Sequence, residues 1–469
     1  MKPIIMKFGG TSVEGATAFQ NAARIVSERV AQRPVVVVSA MAGFTDALLS
    51  SLKEASNAGA AHALTTLDKH FDRHFRVIES VLSSQAPRLR ELVEQSRNEI
   101  RELLKETETA GRRKVTEDAV ASNGERLSAT LLAAVLSENN YSARDVDARQ
   151  CLITDDNHGC AVPFMDETIR NTREQLQPLL DSATIPVLGG FIGSSVNGAT
   201  TTLGRGGSDY SAAIFGAALE AQEIQIWTDV PGVLTADPRL VPRARTVPEL
   251  SFEEAAELAY FGAKVLHPKT LQPAIERNIP VRICNSRNQD GGSTLVVATT
   301  EKSAQTVKAI AHKTGVTTVQ ITAARMLGAY GFLRALFEVF DRHRTAVDVV
   351  TTSEVSVSLS LDDTSSLPAI VADLEKLGSV NVEEGRAILC VVGEGLRSTP
   401  GIAARIFSTI SNINVSLISQ GASRINLTFA IEEARAREAV QRLHEEFFEE
   451  KFKAQPLGCG VEREEQAKA

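Results

Sequence analysis

The sequence predicts a layered α/β domain with a largely parallel sheet, followed by a small α+β domain that occurs twice. Short apolar runs alternate with stretches of helical periodicity from the N-terminus to about residue 300, as in α/β domains. Beyond that point, residues 331–337 resemble residues 401–407, which indicates an internal duplication. A chain of 469 residues is also too long for one hydrophobic core, so several domains are expected.

The strands and helices of the first part can be assigned in chain order. Residues 4–7 form a short apolar strand, and residues 16–33 have the periodicity of a helix that Pro34 ends. The four valines at 35–38 do not alternate with polar residues, which is typical of a parallel strand buried on both faces. Similar apolar runs predict further strands at 185–188, 224–227 and 294–297.

Residues 54–114 are predicted to be mostly helical, polar and exposed to solvent. His70 and His74 are spaced four residues apart there, with Asp68 and Asp72 nearby. A metal site is conceivable, but it would need a convergent set of ligands, and no third ligand is placed. We therefore predict no protein metal site.

The duplicated part begins after a boundary near residues 301–303. The strand at 346–351 corresponds to the strand at 414–419, and each unit reads strand, glycine-containing loop, helix, strand, strand, helix. A repeat of this length that contains both periodicities is a duplicated small domain and not a solenoid.

Composition and cysteines restrict the class of protein. Apolar residues make up 43% and charged residues 23% of the chain, and the formal net charge is −8, so a nucleic-acid partner is not expected. Nowhere do about 18 apolar residues run uninterrupted, so no membrane span is expected. The five cysteines are scattered and favour reduced thiols, which predicts a cytoplasmic location. These cysteines are Cys151, Cys160, Cys284, Cys390 and Cys459.

The stretch KFGGTS at residues 7–12 has the composition of a phosphate-binding loop. Gly9 and Gly10 let backbone amides approach an anion closely, and Lys7 leaves the end of a strand with a compact cation. The lysine precedes the glycines, so this is not the order of a P-loop. Taken alone, the stretch fits an ordinary glycine turn equally well.

A second glycine-rich loop, GRGGSD at residues 204–209, combines charges that a plain linker does not need. Arg205 offers a planar fork that suits a carboxylate, and Asp209 can orient Lys7 or a substrate ammonium. Two further loops fit a nucleotide pocket, namely WTDVPG at 227–232 and FGAKVLHP at 261–268. Each could also be a structural turn. The hydroxyls at 39–45 and the helix start at 123–126 are subsidiary candidates.

These four motifs, in this order, resemble the aspartokinases of the amino-acid-kinase family. The resemblance implies a three-layer αβα catalytic domain at residues 1–300 and two ferredoxin-like ACT domains at 305–383 and 386–447. It also implies that the C-terminal segment 448–462 completes the first ACT sheet. The implied reaction is transfer of the γ-phosphoryl group of ATP to the β-carboxylate of L-aspartate.

The resemblance assigns roles to individual residues. Lys7 and Asp209 would be catalytic, and Mg²⁺ would be held mainly by the ATP phosphates. The implied ATP-site residues are Lys7, Gly9, Gly10, Thr228, Asp229, Leu234, Arg239, Lys264 and Val265. The implied aspartate-site residues are Ser39, Ala40, Thr45, Glu125, Phe191, Arg205, Ser208 and Asp209.

Feedback inhibition by lysine, with threonine as the alternative inhibitor, is implied for the ACT domains, and so is a homo-oligomer assembled through them. Ala329 and Ala346 depart from the lysine-sensitive pattern, which has serine at both positions. The implied allosteric residues are Met326, Phe332, Leu333, Ala346, Asp348, Thr352, Ser353, Glu354 and Val355.

Two other interpretations remain open at this stage. The chain could be an amino-acid-binding regulatory protein whose kinase domain has decayed, although Lys7, Arg205 and Asp209 are intact. It could also be an acid kinase that acts on another substrate such as glutamate. Turnover with a panel of substrates distinguishes both from the main interpretation.

Overall fold

A computed structural model describes residues 1–111, 113–262, 268–300, 306–328 and 330–449. The chain forms two compact units, one of residues 1–234 and 246–304, the other of residues 235–245 and 305–469. Segment 235–245 therefore groups with the C-terminal unit, although the sequence pattern placed it within the first 300 residues. No helix of the described ranges is long and apolar enough to cross a membrane.

The N-terminal unit alternates strands and helices. Its strands are β1 (Ile4–Phe8), β2 (Pro34–Val38), β3 (Ala143–Val146), β4 (Ile153–Thr154), β5 (Ile185–Gly189), β6 (Ile192–Ser195), β7 (Thr200–Thr202), β8 (Glu223–Thr228), β9 (Glu249–Ser251), β10 (Val281–Asn285) and β11 (Ser293–Val297). Its helices are α1 (Ala16–Ser27), α2 (Phe44–Ala58), α3 (Ala60–Val81), α4 (Ala86–Ala110), α5 (Lys114–Glu138), α6 (Met165–Asp181), α7 (Gly207–Ala218), α8 (Phe252–Tyr260) and α9 (Gln272–Glu276).

Eight of these strands form one sheet in the order β3-β5-β2-β1-β8-β10-β11-β9. Every neighbouring pair is parallel except β10 and β11, so the predicted largely parallel sheet is confirmed. β4, β6 and β7 form a separate small sheet. Because parallel strands point the same way, the loops that follow β5, β2, β1 and β8 emerge side by side at one edge.

Helices pack against both faces of the central strand β1. Ile4, Met6 and Phe8 belong to the apolar core that contains buried residues of α1 to α5. Ile5 points the other way, where a Cβ added at Gly216 of α7 would lie 3.6 Å from it. Since side chains alternate along a strand, Lys7 lies on the α7 side of the sheet. This is the predicted three-layer αβα arrangement.

The C-terminal unit contains the duplicated domain. Its strands are β12 (Ala309–Thr322), β13 (Val350–Thr352), β14 (Ser356–Leu361), β15 (Ser379–Val392), β16 (Val415–Gln420) and β17 (Asn426–Glu432). Its helices are α10 (Phe332–Arg342), α11 (Leu367–Leu374), α12 (Ile402–Thr409) and α13 (Ala436–Phe448). Both α10 and α12 follow a glycine in the left-handed conformation, Gly331 and Gly401, as the repeat predicted.

One six-stranded sheet, in the order β13-β14-β12-β15-β17-β16, holds both repeats. Residues 317–322 of β12 lie between β14 and the first half of β15, so the four strands of the first repeat are continuous in sequence. The second repeat takes its fourth strand from Ala309–Lys313, which pairs with residues 388–392. The first repeat therefore lies inside the second, whereas a first ACT sheet completed by the C-terminal segment would have placed the second repeat inside the first. The expected completing segment 448–462 lies outside the described residues from residue 450 onward.

Other local predictions need correction. The helix predicted for 16–33 ends at Ser27 and is followed by a 3₁₀ turn. The strand predicted for 346–351 begins only at Val350. Ahead of it, the backbone N–H of Asp348 donates to the Ser360 carbonyl at 3.0 Å.

The helical prediction for residues 54–114 is confirmed, but the expected exposure of its histidines is wrong. His70 and His74 are buried, and both rings pack on Phe44, with ring centroids 5.4 and 5.0 Å apart. Burial lowers the pKa of His74 to about 4. Both histidines belong to the buried face of α3, and the polar composition of the segment hid that face.

Candidate active site

The loops at the carboxyl edge of the sheet are tied together by backbone hydrogen bonds. Each loop begins by donating an N–H to a carbonyl at the carboxyl end of the neighbouring strand, at 2.8 to 3.0 Å. The three donor–acceptor pairs are Gly190 to Val38, Ser39 to Phe8 and Gly9 to Trp227. The sequence motifs that follow four different strands therefore form one continuous rim.

Lys7 and Asp209 form an ion pair at the centre of this rim. Lys7 Nζ lies 2.6 Å from Asp209 Oδ1, and the two side chains are only 11% and 15% exposed. Asp209 comes from the first turn of α7, the helix on the face of β1 toward which Lys7 points. The structure thus brings together the two residues predicted to be catalytic.

A cavity of about 630 Å³ opens beside this ion pair. Its walls come from the loops after β1, β2, β5 and β7 and from one face of α5. All eight residues predicted to bind aspartate line it, and so do Lys7 and Gly10. The eight are Ser39, Ala40, Thr45, Glu125, Phe191, Arg205, Ser208 and Asp209.

Arg205 is the exposed cation of this cavity. It lies in the loop between β7 and α7, and it makes no ion pair with any residue in the described ranges. Its guanidinium is therefore available to an anionic ligand, and its planar fork matches a carboxylate.

Glu125 is buried in the wall of the cavity, and one of its carboxylate oxygens, Oε2, accepts no hydrogen bond from the described residues. Burial raises the pKa of Glu125 to about 8, against the opposing influence of the Ala40 backbone, the Lys7 charge and the Thr45 hydroxyl. A buried oxygen of this kind is suited to a ligand that donates a hydrogen bond or carries positive charge.

The position of Glu125 within its helix corrects one expectation. The stretch 123–126 does not open a helix but lies in the middle of α5. Gly124 is needed for close approach, because a Cβ there would lie 2.6 Å from the Cβ of Ala40. Gly124 therefore lets α5 pass directly behind the loop after β2.

Phe191 has a strained backbone at the edge of the cavity. Its φ of +69° lies in the left-handed region that a bulky residue rarely adopts. Its N–H donates to Ser211 Oγ at 2.9 Å, and its carbonyl accepts from the Leu203 N–H at 3.0 Å. The fold therefore holds Phe191 in this conformation from both sides.

Asp118 is a cavity residue that the sequence did not reveal. It is buried, and it accepts hydrogen bonds from His158 Nδ1 at 2.8 Å and from the Gly159 N–H at 3.1 Å. The N–H and the hydroxyl of Thr202 donate to it as well. Asp118 precedes Glu125 by two helical turns, and that spacing on one helix face was the only signal in the sequence. It fixes the loop that carries Gly159 against β7, just before Arg205.

The residues predicted to bind ATP are placed less completely. Thr228 and Asp229 lie at the end of β8, on the side of β1 away from the cavity, and Leu234 follows in the same loop. Ser286, after β10, donates its N–H to the Thr228 carbonyl at 2.8 Å, and its hydroxyl lies 2.7 Å from that of Ser12. The β8 and β10 loops are thus connected to the KFGGTS loop.

Three further residues were predicted to bind ATP. Lys264 and Val265 lie outside the described residues. Arg239 belongs to the C-terminal unit, where its side chain is 82% exposed and pairs with Asp237 at 2.6 Å.

The predicted allosteric residues all lie in the first repeat. Thr352, Ser353 and Glu354 are exposed at the turn between β13 and β14, and Leu333 is exposed on α10. The carbonyl of Val355 accepts from the Ala323 N–H at 2.8 Å, which brings this turn beside the 3₁₀ turn that carries Met326. Ala346 and Asp348 precede β13, and Phe332 begins α10.

Known proteins resemble the chain along almost its whole length. The Amino acid kinase family matches residues 2–285, and the ACT domain matches residues 389–447. Aspartokinase 1, chloroplastic, of Arabidopsis thaliana is 38% identical, over 95% of this chain and 80% of the relative. Lysine-sensitive aspartokinase 3 of Escherichia coli (strain K12) is 38% identical, over 95% of this chain and 99% of the relative.

Two crystal structures of E. coli aspartokinase III have a similar fold. The complex with aspartate and ADP gives a TM-score of 0.82 at 36% identity, over 95% of this chain and 100% of that chain. The complex with lysine and aspartate gives a TM-score of 0.80 at 36% identity, over 96% of this chain and 100% of that chain. This chain therefore belongs to the amino acid kinase family, in its aspartokinase group.

Proposed function

We propose that the cavity beside Lys7 and Asp209 transfers the γ-phosphoryl group of ATP to the β-carboxylate of L-aspartate. The product would be 4-phospho-L-aspartate, and the reaction would be the first step toward lysine, threonine and methionine. The observation that carries the proposal is the largely buried ion pair of Lys7 and Asp209 in the wall of the cavity, next to the glycine loop at residues 9–12. The aspartate and ADP complex of the E. coli relative supports the choice of substrates.

The chemistry needs positioning and charge neutralisation more than a strong base. The attacking carboxylate of aspartate is already ionised at neutral pH, so no proton has to be removed from it. Lys7 would place its ammonium over the transferring phosphoryl group, where negative charge is concentrated. Asp209 would hold Lys7 in place, and the amides of Gly9 and Gly10 would bind phosphate oxygens.

Recognition of aspartate would use the opposite charges that line the cavity. Arg205 would bind the α-carboxylate through two parallel hydrogen bonds. Glu125 and Asp209 would bind the ammonium, which supplies the donor that Glu125 Oε2 lacks among the described residues. Ser39, Thr45 and Ser208 would add hydroxyl contacts, and Ala40 and Phe191 would shape the wall.

ATP would lie on the β8 side of Lys7, with its phosphates toward the glycine loop. Thr228, Asp229 and Leu234 would line the base and sugar, and Arg239, Lys264 and Val265 remain predictions. Mg²⁺ would neutralise charge on the ATP phosphates. Within the described ranges there is no group of three or more His, Cys, Asp or Glu side chains that could hold a metal ion.

The C-terminal unit would regulate this activity. We propose lysine as the feedback inhibitor, supported by the name of the lysine-sensitive E. coli relative and by the complex of aspartokinase III with lysine. The residues named above in the first repeat would bind it. Homodimers or tetramers would form through residues 305–450, and a cytoplasmic location remains a prediction from the scattered cysteines.

A coupled assay for ADP release tests the main proposal. With folded protein and Mg·ATP, we expect ADP release that depends on L-aspartate and is weaker with L-glutamate. Separate titrations with lysine and threonine should show inhibition by lysine. Binding of lysine without any aspartate-dependent turnover would instead indicate a regulatory protein with a decayed kinase domain. Preference for glutamate would indicate a different acid kinase.

A further inference from the structure

Arg73 of α3 donates hydrogen bonds to two loops of the candidate active site. Its Nη1 lies 2.8 Å from the carbonyl oxygen of Ala42, and its Nη2 lies 2.9 Å from the carbonyl oxygen of Glu14. Within the described ranges Arg73 makes no ion pair, so its guanidinium is used for these two backbone acceptors. No sequence motif includes Arg73, and it does not line the cavity.

The two carbonyls belong to the loops that carry the two sides of the reaction. Glu14 follows the 3₁₀ turn Gly10–Val13, directly after the strand of Lys7. Ala42 lies in the loop after β2, between Ala40 and Thr45 of the aspartate site. One loop would therefore hold the phosphoryl donor, and the other would hold the acceptor.

The two loops also touch each other directly at Gly10. The Ala42 N–H donates to the Gly10 carbonyl at 3.1 Å, and a Cβ at Gly10 would lie 2.8 Å from the Ala40 carbonyl oxygen. Ala42 is thus held through its N–H by one loop and through its carbonyl by Arg73. Because the N–H and the carbonyl of Ala42 are both bonded, the position of the Arg73 guanidinium affects the distance between the loop after β1 and the loop after β2.

We propose that Arg73 is a positioning residue during phosphoryl transfer. It sets the distance between the phosphate loop (residues 9–14) and the acceptor loop (residues 39–45). This inference rests on the proposed function. The planar guanidinium can bond both carbonyls at once, whereas a lysine ammonium is a single point charge on a flexible stem. Misplacement of reacting groups by about 1 Å can lower a rate about 100-fold, so a fixed spacing has a direct effect on turnover.

The test compares Arg73→Met, Arg73→Lys and Arg76→Met with the unmodified full chain. Arg76 is the matched control, because it lies on the same helix and is exposed. We expect Arg73→Met to lower kcat by about 10- to 100-fold while the KM for ATP changes less than about twofold. Arg73→Lys should recover part of the loss, and Arg76→Met should match the unmodified chain.

Two further measurements separate positioning from loss of fold. Millimolar guanidinium should restore part of the kcat of Arg73→Met, whereas it cannot repair a protein that is merely unstable. Hydrogen exchange should speed up at residues 9–14 and 39–45 in Arg73→Met, but not elsewhere. Equal kcat for Arg73→Met and Arg76→Met in an active enzyme, or unchanged exchange in both loops, would overturn the inference. An inactive unmodified chain would instead overturn the proposed function, and the exchange result would still decide the loop contact.

Discussion

Lys7 Nζ and Asp209 Oδ1 lie 2.6 Å apart between the central strand of the sheet and the first turn of α7. Lys7 is paired in register with Val37 and Ile226 on the two neighbouring strands, so its backbone is fixed on both sides. The ammonium is therefore held in place before any substrate binds. Such preorganisation is what electrostatic stabilisation of a transition state requires.

Loss of the Lys7 charge should act mainly on turnover. We expect Lys7→Ala to lower kcat by about 100- to 1,000-fold, because the developing charge is stabilised most in the transition state. The KM for aspartate should change much less. Steady-state kinetics with varied aspartate and ATP measure both values. An effect confined to KM would contradict the proposed role of Lys7.

Arg205→Ala should instead weaken aspartate binding. Charge-assisted hydrogen bonds contribute about 1.5–3 kcal/mol each, so we expect the KM for aspartate to rise about 10- to 100-fold. Arg149→Ala is a suitable control variant, because Arg149 is paired with Asp147 and does not line the cavity. An unchanged KM in Arg205→Ala would exclude Arg205 from the carboxylate site.

Glu125 should make the free energy of unfolding depend on pH. Its pKa is raised from 4.5 to about 8, so between these values the folded protein keeps a proton that the unfolded chain has released. The stability contribution of Glu125 therefore falls as pH rises through this window and levels off above it. Denaturant unfolding of Glu125→Gln should show a shallower pH dependence than the unmodified protein. Equal slopes would contradict the raised pKa.

Binding of aspartate should release a proton from the same group. A substrate ammonium favours the ionised carboxylate, so Glu125 should lose its proton on binding below about pH 8. Calorimetric titration at pH 7 in buffers with different ionisation enthalpies measures this release. We expect the buffer dependence to disappear in Glu125→Gln, and its persistence would assign the proton to another group.

His74 should make the protein sensitive to acid. Its pKa is lowered from 6.5 to about 4 because it is buried, while its Nδ1 donates to the His70 carbonyl at 2.8 Å. The unfolded chain takes up the proton first, so stability is lost as pH falls from 6.5 to 4, by on the order of 3 kcal/mol. His74→Gln should lessen this loss. His62→Gln, at an exposed position on the same helix, should not.

The fit of Gly10 against the loop after β2 can be tested with a single methyl group. A Cβ at Gly10 would lie 2.8 Å from the Ala40 carbonyl oxygen and 3.2 Å from the Ala42 nitrogen, so one loop must move. We expect Gly10→Ala to lower kcat/KM for aspartate about tenfold or more. Gly15→Ala is the control, since nothing lies within 4 Å of its Cβ and its backbone is extended. Equal activity of the two variants would contradict this account.

The sequence predicted the parts of the site that follow buried strands. Apolar runs such as 35–38 and 224–227 mark parallel strands, and parallel strands end at one edge, so their loops had to meet. Lys7 could be placed at this edge for that reason. The loop 204–209 with Arg205 and Asp209 follows β7 of the small sheet, and only its charges and the family resemblance linked it to Lys7. Local patterns carry this information because strand burial is visible in consecutive residues.

Residues whose contacts are far away in the sequence could not be predicted. Arg73 lies on a polar helix, and nothing near it in the chain shows that it bonds carbonyls 31 and 59 residues away. Glu125 was predicted to lie at a helix start, whereas it lies in the middle of α5, where the close approach of Ala40 explains Gly124. Both features depend on which surfaces meet, and only the three-dimensional structure shows this.

The strand Ala309–Lys313 determines which of the two repeats can be produced as an isolated domain. A fragment of residues 386–449 would lack this strand and would leave residues 388–392 of β15 without a partner on that side. Such an unprotected edge invites association with other chains. Residues 317–384 contain all four strands of the first repeat and are the better candidate for an excised domain. During synthesis, Ala309–Lys313 stays unpaired until β15 has been made. The sheet of the second repeat therefore forms late, through contacts between strands that are far apart in sequence.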